Sequence, residues 1–330
     1  MKLKPNLTID DIARVLGVSK TTVSRAISGK GRISQATRDR VLSYIQRTNY
    51  RPNAAAKALA ESKTYNLALV LPKNFISLDL PFIRKSMSAI CEEAFSRNYH
   101  VLICLCTDED PSHLVQTLDY RKADGVILAR TVDNDHLAEL LIKRKVPFAT
   151  LGTLPPETHG KAQVEADHDQ VGGCRAFTSN FLHNHPDRIA VLGNDLSYIV
   201  NQSRLAGVRQ ALNDRGLPED YVPVRMGIQD DLCCCQAVDE LLQQGYHRFL
   251  AMDDEVCLRI LGFLEKRYQE IPSYIQVASL CASEQLSAGY PDIPALHFDA
   301  AELGRIACRE LLRCLHKEDY DPTPLLGYKI

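Results

Sequence analysis

The sequence predicts an α/β protein in which a three-helix head and a short hinge helix precede a body of two doubly wound parallel sheets. Three observations favour this fold class. Residues 8–27 carry two helical patterns joined at a glycine, residues after 64 alternate between strand-like and helical runs, and the first 63 positions are strongly basic. The predicted divisions are a head at 1–51, a hinge helix and linker at 52–63, and a two-lobed body at 64–330.

The first helix is predicted from its cap and its apolar face. Thr8 can cap a helix whose first turn carries Asp10 and Asp11, where carboxylates favour the positive end of the helix dipole. Gly17 tolerates a positive φ and ends this helix in a tight turn. The apolar face consists of residues that recur at helical spacing, namely Ile9, Ile12, Ala13 and Leu16.

A second helix follows the turn and carries many hydrogen-bond donors. Ser19 caps it, it runs to about Ile27, and Val23 faces inward. Its outer surface is formed by Lys20, Thr21, Thr22, Ser24 and Arg25. Two short helices joined by such a turn form a helix-turn-helix, although this stretch alone would also suit a surface helical hairpin.

A third helix and a hinge complete the predicted head. Ser34 and Thr37 start the helix, and its core positions are Val41, Leu42 and Ile45. Residues 50–53 break it, and the Ala-rich segment 54–60 follows. That segment is too short to be a stable helix alone, so we expect it to fold only when it is paired.

Charge separates the two parts of the chain. Residues 1–63 hold 13 Lys and Arg against 4 Asp and Glu, a net charge of +9, whereas the rest holds 26 against 37, a net charge of −11. A basic segment attached to an acidic body is typical of a polyanion-binding head on a domain that does not itself bind polyanions. A solvated basic tail would not show helical apolar periodicity.

The body alternates strand-like and helical runs. Predicted strands lie at 66–72, 100–106, 124–129, 146–152, 188–193, 221–226, 247–253 and 276–281. Predicted helices lie at 82–97, 112–122, 134–144, 170–184, 203–215, 231–244 and 255–269. Two such series predict two lobes, and ligands of open parallel sheets sit beyond the carboxyl ends of the strands. A small molecule is therefore expected in the cleft between the lobes.

Several function classes are not supported by the sequence. It contains no phosphate-binding loop, no nucleophile elbow and no metal-ligand spacing, so we expect neither an enzyme nor a bound cofactor or metal. It has no apolar run of membrane-spanning length and no signal peptide, which favours a cytoplasmic protein. The eleven cysteines form no paired framework and suit reduced thiols.

The run from Thr8 to residue 60 resembles the headpiece and hinge of the lactose-repressor (LacI/GalR) family. The later runs ADGVIL, VPFATLG, HPDRIAVLG, SRLAGVRQAL and HRFLAMDDEV follow in the order of that family's periplasmic-binding-protein-like effector domain. The resemblance implies a homodimer in which each head reads half of a near-palindromic operator. It also implies that the chain passes between the two lobes three times. No heptad tail follows Leu315, so a tetramer is not expected.

Contacts with DNA follow from the helix-turn-helix and from this resemblance. Base edges in the major groove are expected to meet Lys20, Thr21 and Arg25. Phosphate contacts that set the register are expected from Thr8, Thr22, Ser24, Ser34 and Asn53. In the family the hinge helices pair and a leucine enters the minor groove; here that residue is Leu59, with Ala56 allowing close approach. Leu59 could instead pack inside a linker.

Effector residues are implied by the resemblance at four positions of the cleft. Arg204 matches the family's R-x-x-G element and could alternatively form a structural salt bridge. Asp253 follows a strand where the family carries a polar ligand residue. With Asp254 it forms a carboxylate pair that could serve acid/base chemistry, but an acceptor for ligand hydroxyls combined with a helix cap is the favoured interpretation. Phe82 would contact a ligand face or belong to the lobe core. Ser283 occupies a position where the family usually carries an aspartate.

Departures from the family pattern bear on the effector. Gly152 stands where an acidic residue is frequent, Ser283 replaces the aspartate, and Asp167-His168 replaces an Asp-Asn pair. The missing carboxylates argue against a simple free hexose and leave a phosphorylated sugar, a larger glycoside or a non-sugar metabolite open.

The sequence thus predicts a sequence-specific DNA-binding transcriptional regulator, specifically a repressor of a carbohydrate-utilisation operon whose operator affinity a small molecule changes. It would be a cytoplasmic protein that is located on the nucleoid when it is bound to its operator. The alternatives are a pure solute-binding module, which the basic head disfavours, and an effector-independent DNA-binding protein, whose cleft would lack polar groups.

Overall fold

The computed structural model describes residues 7–29, 31–48, 50, 58, 61–73, 81–183 and 188–330. The chain divides into two compact units between Thr64 and Tyr65, and each unit is described by itself. The predicted hinge positions Asn53, Ala56 and Leu59 lie outside the described residues.

The head contains three helices whose ends are set by local side-chain chemistry. They are α1 (Ile9–Leu16), α2 (Lys20–Ser28) and α3 (Gln35–Thr48). Thr8 Oγ1 accepts from the backbone N of Asp11 at 3.2 Å, and the Asp11 carboxylate accepts from the backbone N of Thr8 at 3.0 Å. Gly17 adopts φ +61° and ends α1, so the predicted cap and turn are confirmed.

The core of the head follows the helical spacing with one exception. Its members are Ile12, Ala13, Val23, Ala26, Val41 and Tyr50. The prediction that Leu42 belongs to this core is wrong, since Leu42 is exposed. On α3 the inward row is Val41, Tyr44 and Ile45, and position 42 lies about 100° around the helix from Val41.

The first lobe of the body is a six-stranded parallel sheet with helices on both faces. Its strands are β1 (Asn66–Pro72), β2 (His100–Cys106), β3 (Gly125–Leu128), β4 (Phe148–Leu151), β5 (Val164–His168) and β10 (Leu325–Leu326), in the order β10-β5-β4-β3-β1-β2. Its helices are α4 (Pro81–Ser96), α5 (Ser112–Asp119), α6 (His136–Arg144) and α12 (Ala300–Leu315). Buried apolar residues on β1, β3 and β4 explain why these strands were visible as apolar runs.

The second lobe is a four-stranded parallel sheet. Its strands are β6 (Ile189–Leu192), β7 (Val224–Arg225), β8 (Arg248–Ala251) and β9 (Gln276–Ser279), in the order β7-β6-β8-β9. Its helices are α7 (Gln170–His183), α8 (Ile199–Asn213), α9 (Asp231–Gln243), α10 (Asp254–Tyr268) and α11 (Glu284–Gly289). The predicted doubly wound α/β fold is confirmed.

Some elements differ from the prediction. Strand β7 has two residues, because a 3-10 turn at Glu219–Tyr221 occupies the start of the predicted run. Helix α8 begins at Ile199, four residues before the predicted start. Strands β5 and β10 and helix α12 were not predicted as elements. Strand β5 was not predicted because charged residues interrupt its apolar pattern. Strand β10 was not predicted because two residues are too few to form a recognisable pattern.

The chain passes between the lobes three times. It leaves the first lobe after β5, returns to it between Phe298 and Leu303, and leaves again between Leu326 and Tyr328. Helix α12 packs against α4, and β10 pairs in parallel with β5. The last part of the sequence therefore completes the first lobe, in agreement with the three passages that the resemblance implied.

The contact between α4 and α12 depends on a glycine. A Cβ atom on Gly304 would lie 2.5 Å from the carbonyl oxygen and 2.9 Å from the Cα of Ser86. The Ser86 hydroxyl donates to the carbonyl of Ala300 at 2.9 Å, which joins the two helices at the same level. Only a residue without a side chain permits this approach.

We expect Gly304→Ala to destabilise the body by about 1–3 kcal/mol, because the added methyl group forces two buried helices apart. The matched control is Gly262→Ala on α10, where a Cβ would meet no atom within 4 Å. That control should be neutral or stabilising by up to about 1 kcal/mol, since alanine is the better helix former. Chemical denaturation measures both, and equal free energies of unfolding would contradict this account of the helix contact.

Candidate functional site

The outer surface of α2 presents polar side chains to solvent. Val23 and Ala26 are buried on the inner side of the helix. The exposed residues on the other side are Lys20, Thr21, Ser24 and Arg25. This arrangement is the one that the sequence predicted, and it places the polar side chains on the side of α2 that faces away from the head core.

Three of the predicted phosphate-contact hydroxyls lie at the starts of helices. Thr8 caps α1, and its hydroxyl donates to the Asp11 carboxylate at 2.6 Å. Ser19 caps α2, and the hydroxyl of Thr22 lies 2.8 Å from that of Ser19. Ser34 Oγ accepts from the backbone N of Thr37 at 3.2 Å at the start of α3. Unpaired backbone N–H groups at helix starts favour anions, so these positions suit phosphate contacts.

The two cations of the α2 surface have different surroundings. The Lys20 ammonium pairs with the Asp10 carboxylate at 2.6 Å. Arg25 makes no side-chain hydrogen bond or ion pair with any residue that the structure describes. A Cβ atom on Gly31 would lie 3.0 Å from the Arg25 Cδ, so the glycine leaves room for the arginine side chain.

A cavity of about 620 Å³ lies between the two lobes of the body. The first lobe contributes Phe82, Arg130 and Leu151, and the second contributes Arg204 and Asp253. Leu151 is the last residue of β4, and Arg130 and Asp253 lie two residues beyond the ends of β3 and β8, so the cavity sits at the carboxyl ends of strands in both sheets. This is where the sequence placed a small-molecule site.

Arg204 lies on α8 at the floor of the cavity and is 7% exposed. Its Nε donates to the side-chain oxygen of Gln170 at 3.2 Å, and its Nη1 donates to the carbonyl of Met252 at 2.9 Å. Gly207, one turn later, lets α8 approach α7, because a Cβ there would lie 2.5 Å from the carbonyl of Val171. The guanidinium is therefore held by three elements of the second lobe.

Asp253 also lines the cavity, at the start of α10. Its Oδ1 accepts from the backbone N of Val256 at 2.8 Å, so one oxygen caps the helix. Burial raises the pKa of this carboxyl, while the cap hydrogen bond and the charge of Arg204 lower it. Asp253 therefore caps α10 and lines the cavity at the same time, and a capping carboxylate retains further lone pairs.

Phe82 and His168 form an aromatic corner of the cavity. Their ring centroids are 6.3 Å apart in an edge-to-face arrangement. His168 Nε2 donates to the carbonyl of Asp299 at 3.2 Å, which ties together two of the passages between the lobes. Burial lowers the pKa of His168 to about 4, so the ring is neutral near pH 7. A neutral ring that donates from Nε2 carries a lone pair on Nδ1.

Asp167 lies beside this corner and lines the cavity as well. Its carboxylate accepts from the backbone N and the hydroxyl of Thr153 at 3.0 and 2.9 Å, and from the backbone N of His168 at 2.7 Å. Burial raises its pKa, and these hydrogen bonds oppose the rise. Asp167 therefore fixes the loop after β4 against the end of β5.

Ser283 is placed differently from the prediction. It is not among the residues that line the cavity; its hydroxyl accepts from the backbone N of Leu286 at 3.1 Å and caps α11. Cys281, two residues earlier, lines the cavity instead. Gly152 also lines it at φ +108°, a conformation that an acidic side chain would rarely adopt.

A contact between the lobes was not predicted from the sequence. Arg130, directly after the apolar run of β3, donates from Nη1 to the hydroxyl of Tyr198 at 2.6 Å. Nearby, Gln202 donates to the Asp133 carboxylate at 2.7 Å. Position at a strand's carboxyl end was the signal for Arg130, but no local pattern shows which residue of the other lobe it meets. These pairs join the lobes at the edge of the cavity.

Metal-binding and membrane-spanning features are not found among the described residues. Within these ranges, no three His, Cys, Asp or Glu side chains are grouped as a metal site would require. In the same part of the chain, every helix is too short or too polar to cross a bilayer. All eleven cysteines are free thiols, and burial raises the pKa of Cys174 and Cys234 to about 12.

The head presents a helix covered with hydrogen-bond donors, and the body holds a cavity between two lobes that is lined by apolar and charged side chains. Together these features define a class, the DNA-binding transcriptional regulators that respond to a small molecule. Comparison with known protein families agrees with both parts. Residues 8–53 match the bacterial regulatory proteins of the lacI family, and residues 178–328 match the periplasmic binding protein-like domain.

Curated relatives resemble the chain along most of its length. Catabolite control protein A of Streptococcus mutans serotype c is 26% identical over 332 aligned positions, which cover 99% of this chain and 96% of the relative. The HTH-type transcriptional regulator MalR of Streptococcus pneumoniae serotype 4 is 27% identical, with 94% and 93% covered. The chain belongs to the lacI family of bacterial regulatory proteins, whose members are transcriptional regulators.

Solved structures share the fold. The transcriptional regulator CelR in complex with cellobiose superimposes with a TM-score of 0.72 at 24% identity, with 98% of each chain covered. The Lac repressor dimer bound to operator and the anti-inducer ONPF gives a TM-score of 0.75 at 22% identity, with 98% of this chain and 97% of that chain covered.

The buried His168 predicts a pH dependence of stability. Its pKa is about 4 in the folded body, against 6.5 for an exposed histidine. Between these pH values the unfolded chain binds a proton that the folded chain does not, so stability falls as the pH falls, by up to about 3 kcal/mol. His168→Gln keeps a donor for the Asp299 carbonyl and should remove this loss.

Urea unfolding of the wild type and of His168→Gln from pH 7 to pH 4 measures the difference. His100→Asn, a change at an exposed position, serves as the control and should keep the wild-type pH profile. Parallel profiles for the wild type and His168→Gln would contradict the inferred burial of a neutral ring.

Proposed function

We propose that this protein is a homodimeric repressor of a carbohydrate-utilisation operon, which binds a near-palindromic operator and changes its operator affinity when a sugar or sugar derivative occupies the interlobe cavity. One observation carries the proposal. The same chain holds a recognition helix with an exposed Arg25 and a cavity whose floor presents Arg204 and Asp253. The Lac repressor dimer among the structural neighbours supports the dimer.

On the DNA side, α2 lies in the major groove and reads base edges with Lys20, Thr21 and Arg25, since arginine and lysine favour guanine. Phosphate contacts come from Thr8, Thr22, Ser24, Ser34 and Asn53. The hinge helices of the two protomers pair at the operator centre, where Leu59 enters the minor groove and Ala56 permits the approach. Two-fold symmetry of the dimer then requires a near-palindromic site.

On the effector side, the cavity suits a polyhydroxyl ligand with an apolar face. Phe82 provides a ring surface, Asp253 provides acceptors, and Arg204 provides donors, all within one enclosed volume. The names of relatives support a sugar, since one structural neighbour is a cellobiose complex and another is described as a probable maltose operon repressor. Gly152 and Ser283 supply no carboxylate at the two positions where the family usually carries one, so a simple free hexose is not the favoured ligand.

Coupling between the sites runs through the lobes and the hinge. A ligand that binds between Phe82 and Arg204 stabilises one lobe arrangement over others. The proposed hinge helix at 52–63 is too short to be stable alone. A small displacement of its first residues by the lobes therefore shifts the equilibrium between its folded and unfolded forms. A coupling free energy of about 1–3 kcal/mol is sufficient for regulation.

The cavity favours binding over catalysis. Asp253 and Asp254 are adjacent carboxylates, but Asp253 caps α10 and so is fixed as a structural acceptor. We infer that the protein performs no chemistry on its ligand. It acts in the cytoplasm and is located on the nucleoid when it is bound to its operator.

The proposed function is tested by a gel-shift titration. Duplexes selected by the wild-type protein from a random library serve as the operator, and a panel of mono- and disaccharides that includes cellobiose and maltose serves as effectors. A sugar-dependent change in operator affinity is expected. Sugar binding without DNA selection would favour a solute-binding module. DNA selection that no sugar of the panel changes would contradict a sugar effector and favour an effector-independent DNA-binding protein.

Arg25→Ala should weaken binding to the selected operator by about 1–3 kcal/mol and relax base preference at one symmetric position, because one bidentate base contact is lost. Arg47→Ala, a change at an exposed arginine of α3, is the matched control and should leave the selected motif unchanged. Sequence selection with each variant measures the outcome. An unchanged motif for Arg25→Ala would mean that α2 reads DNA through other side chains.

Arg204→Met should weaken effector binding by about 1–3 kcal/mol, since a buried polar atom of the ligand loses its partner while the side-chain volume is largely kept. Operator affinity without effector should stay close to that of the wild type. The control is Arg215→Met, because Arg215 bonds to the carbonyls of Leu182 and Ser179, away from the cavity lining. Calorimetry with the active sugar measures the affinity of each variant. Equal affinities for the wild type and Arg204→Met would mean that Arg204 does not contact the effector.

A further inference from the structure

The first residue of the recognition helix is tied to the helix before it. The Lys20 ammonium lies 2.6 Å from the Asp10 carboxylate, and this is the one ion pair that the structure describes for Lys20. The two side chains are 69% and 49% exposed, so both face solvent beside the reading surface of α2. Arg25, more than one turn further along α2, has no such partner in the described part of the head.

Asp10 has no capping role in its own helix. Asp11, its neighbour, completes the capping box with Thr8 and pairs with Arg14 at 3.2 Å. The side chain of Asp10 instead extends across to α2. Its location in the first turn of α1 favours that helix slightly, but Asp11 supplies the same charge one residue later.

An exposed ion pair of this kind contributes little to stability, so its consequences lie in DNA binding. Non-specific affinity for DNA is almost entirely electrostatic and depends on how many cations contact phosphates. A carboxylate beside Lys20 repels phosphates and occupies one of the three ammonium donors. The other two donors stay available for the O6 and N7 atoms of a guanine.

We propose that Asp10 is a positioning residue for sequence selectivity, which acts through Lys20. It holds the ammonium over the reading surface of α2 and away from the phosphates, and so lowers affinity for DNA in general while the base contact at the operator is kept. This inference rests on the proposed reading of DNA by α2. It assigns the two cations different tasks, because Lys20 is restrained by a carboxylate and Arg25 has no described partner that would restrain it.

The test uses the full chain and two duplexes, the operator selected by the wild type and a duplex of scrambled sequence. Affinities are measured over a range of salt concentrations. For the scrambled duplex, Asp10→Asn should tighten binding about eightfold at ~0.1 M salt and steepen the dependence of log K on log salt by about 0.9, as expected for one added phosphate contact. Binding to the operator should tighten less, so the selectivity ratio falls.

Three further variants separate this role from a general charge effect. Asp39→Asn removes a carboxylate of the same head, one that accepts from Gln35 on α3 at 2.9 Å, and should leave the salt slope unchanged. Asp10→Glu should restore most of the wild-type selectivity. With Lys20→Gln already present, Asp10→Asn should add no further steepening, which a double-mutant cycle measures directly. Thermal unfolding checks that each head remains folded.

Equal salt slopes for Asp10→Asn and Asp39→Asn would overturn the inference, as would a steepening by Asp10→Asn that persists without Lys20. Both outcomes leave the proposed function in place, provided that the wild type selects a sequence. A wild type that selects no sequence would overturn the proposed function and this inference together.

Discussion

The buried guanidinium of Arg204 is the interaction on which the body depends. It lies at the floor of the interlobe cavity and bonds to Gln170 at the start of α7 and to the carbonyl of Met252 after β8. Burial of a charge is costly unless it is well hydrogen-bonded, so these partners hold α7, α8 and the end of β8 in a set geometry. The same geometry orients Asp253, the next residue after Met252, toward the cavity.

The cavity is built where the chain changes lobes. His168 ends β5, bonds to the Asp299 carbonyl before α12, and packs its ring against Phe82 and Phe298. A ligand that contacts this corner therefore contacts two of the three passages between the lobes. Across the cavity, Arg130 and Tyr198 join the lobes through a second contact. Binding and lobe arrangement thus share the same side chains, which is the physical requirement for coupling a ligand to a conformational change.

In the head, by contrast, most of the structure is determined by interactions between residues that are close in the sequence. Caps at Thr8, Ser19 and Ser34 set where each helix starts, and Gly17 sets the turn between α1 and α2. With the inner side of α2 buried, its outer side is available for DNA. The pair between Asp10 and Lys20 is the part of this surface that depends on how α1 and α2 cross rather than on either helix alone.

By itself, the sequence determined the helix starts of the head, the exposed side of α2, most strands of both sheets, and the location of a cavity at their carboxyl ends. Caps, helical spacing and apolar runs act between residues that are close in the chain, so one sequence suffices to read them. The tertiary structure alone decided that 300–326 complete the first lobe, that Asp167, His168 and Arg130 line the cavity, and that Ser283 caps α11 outside it. These outcomes depend on which distant segments meet. Pairs such as Arg130 with Tyr198 or His168 with Asp299 are separated by 68 and 131 positions, and no local pattern encodes such a partner.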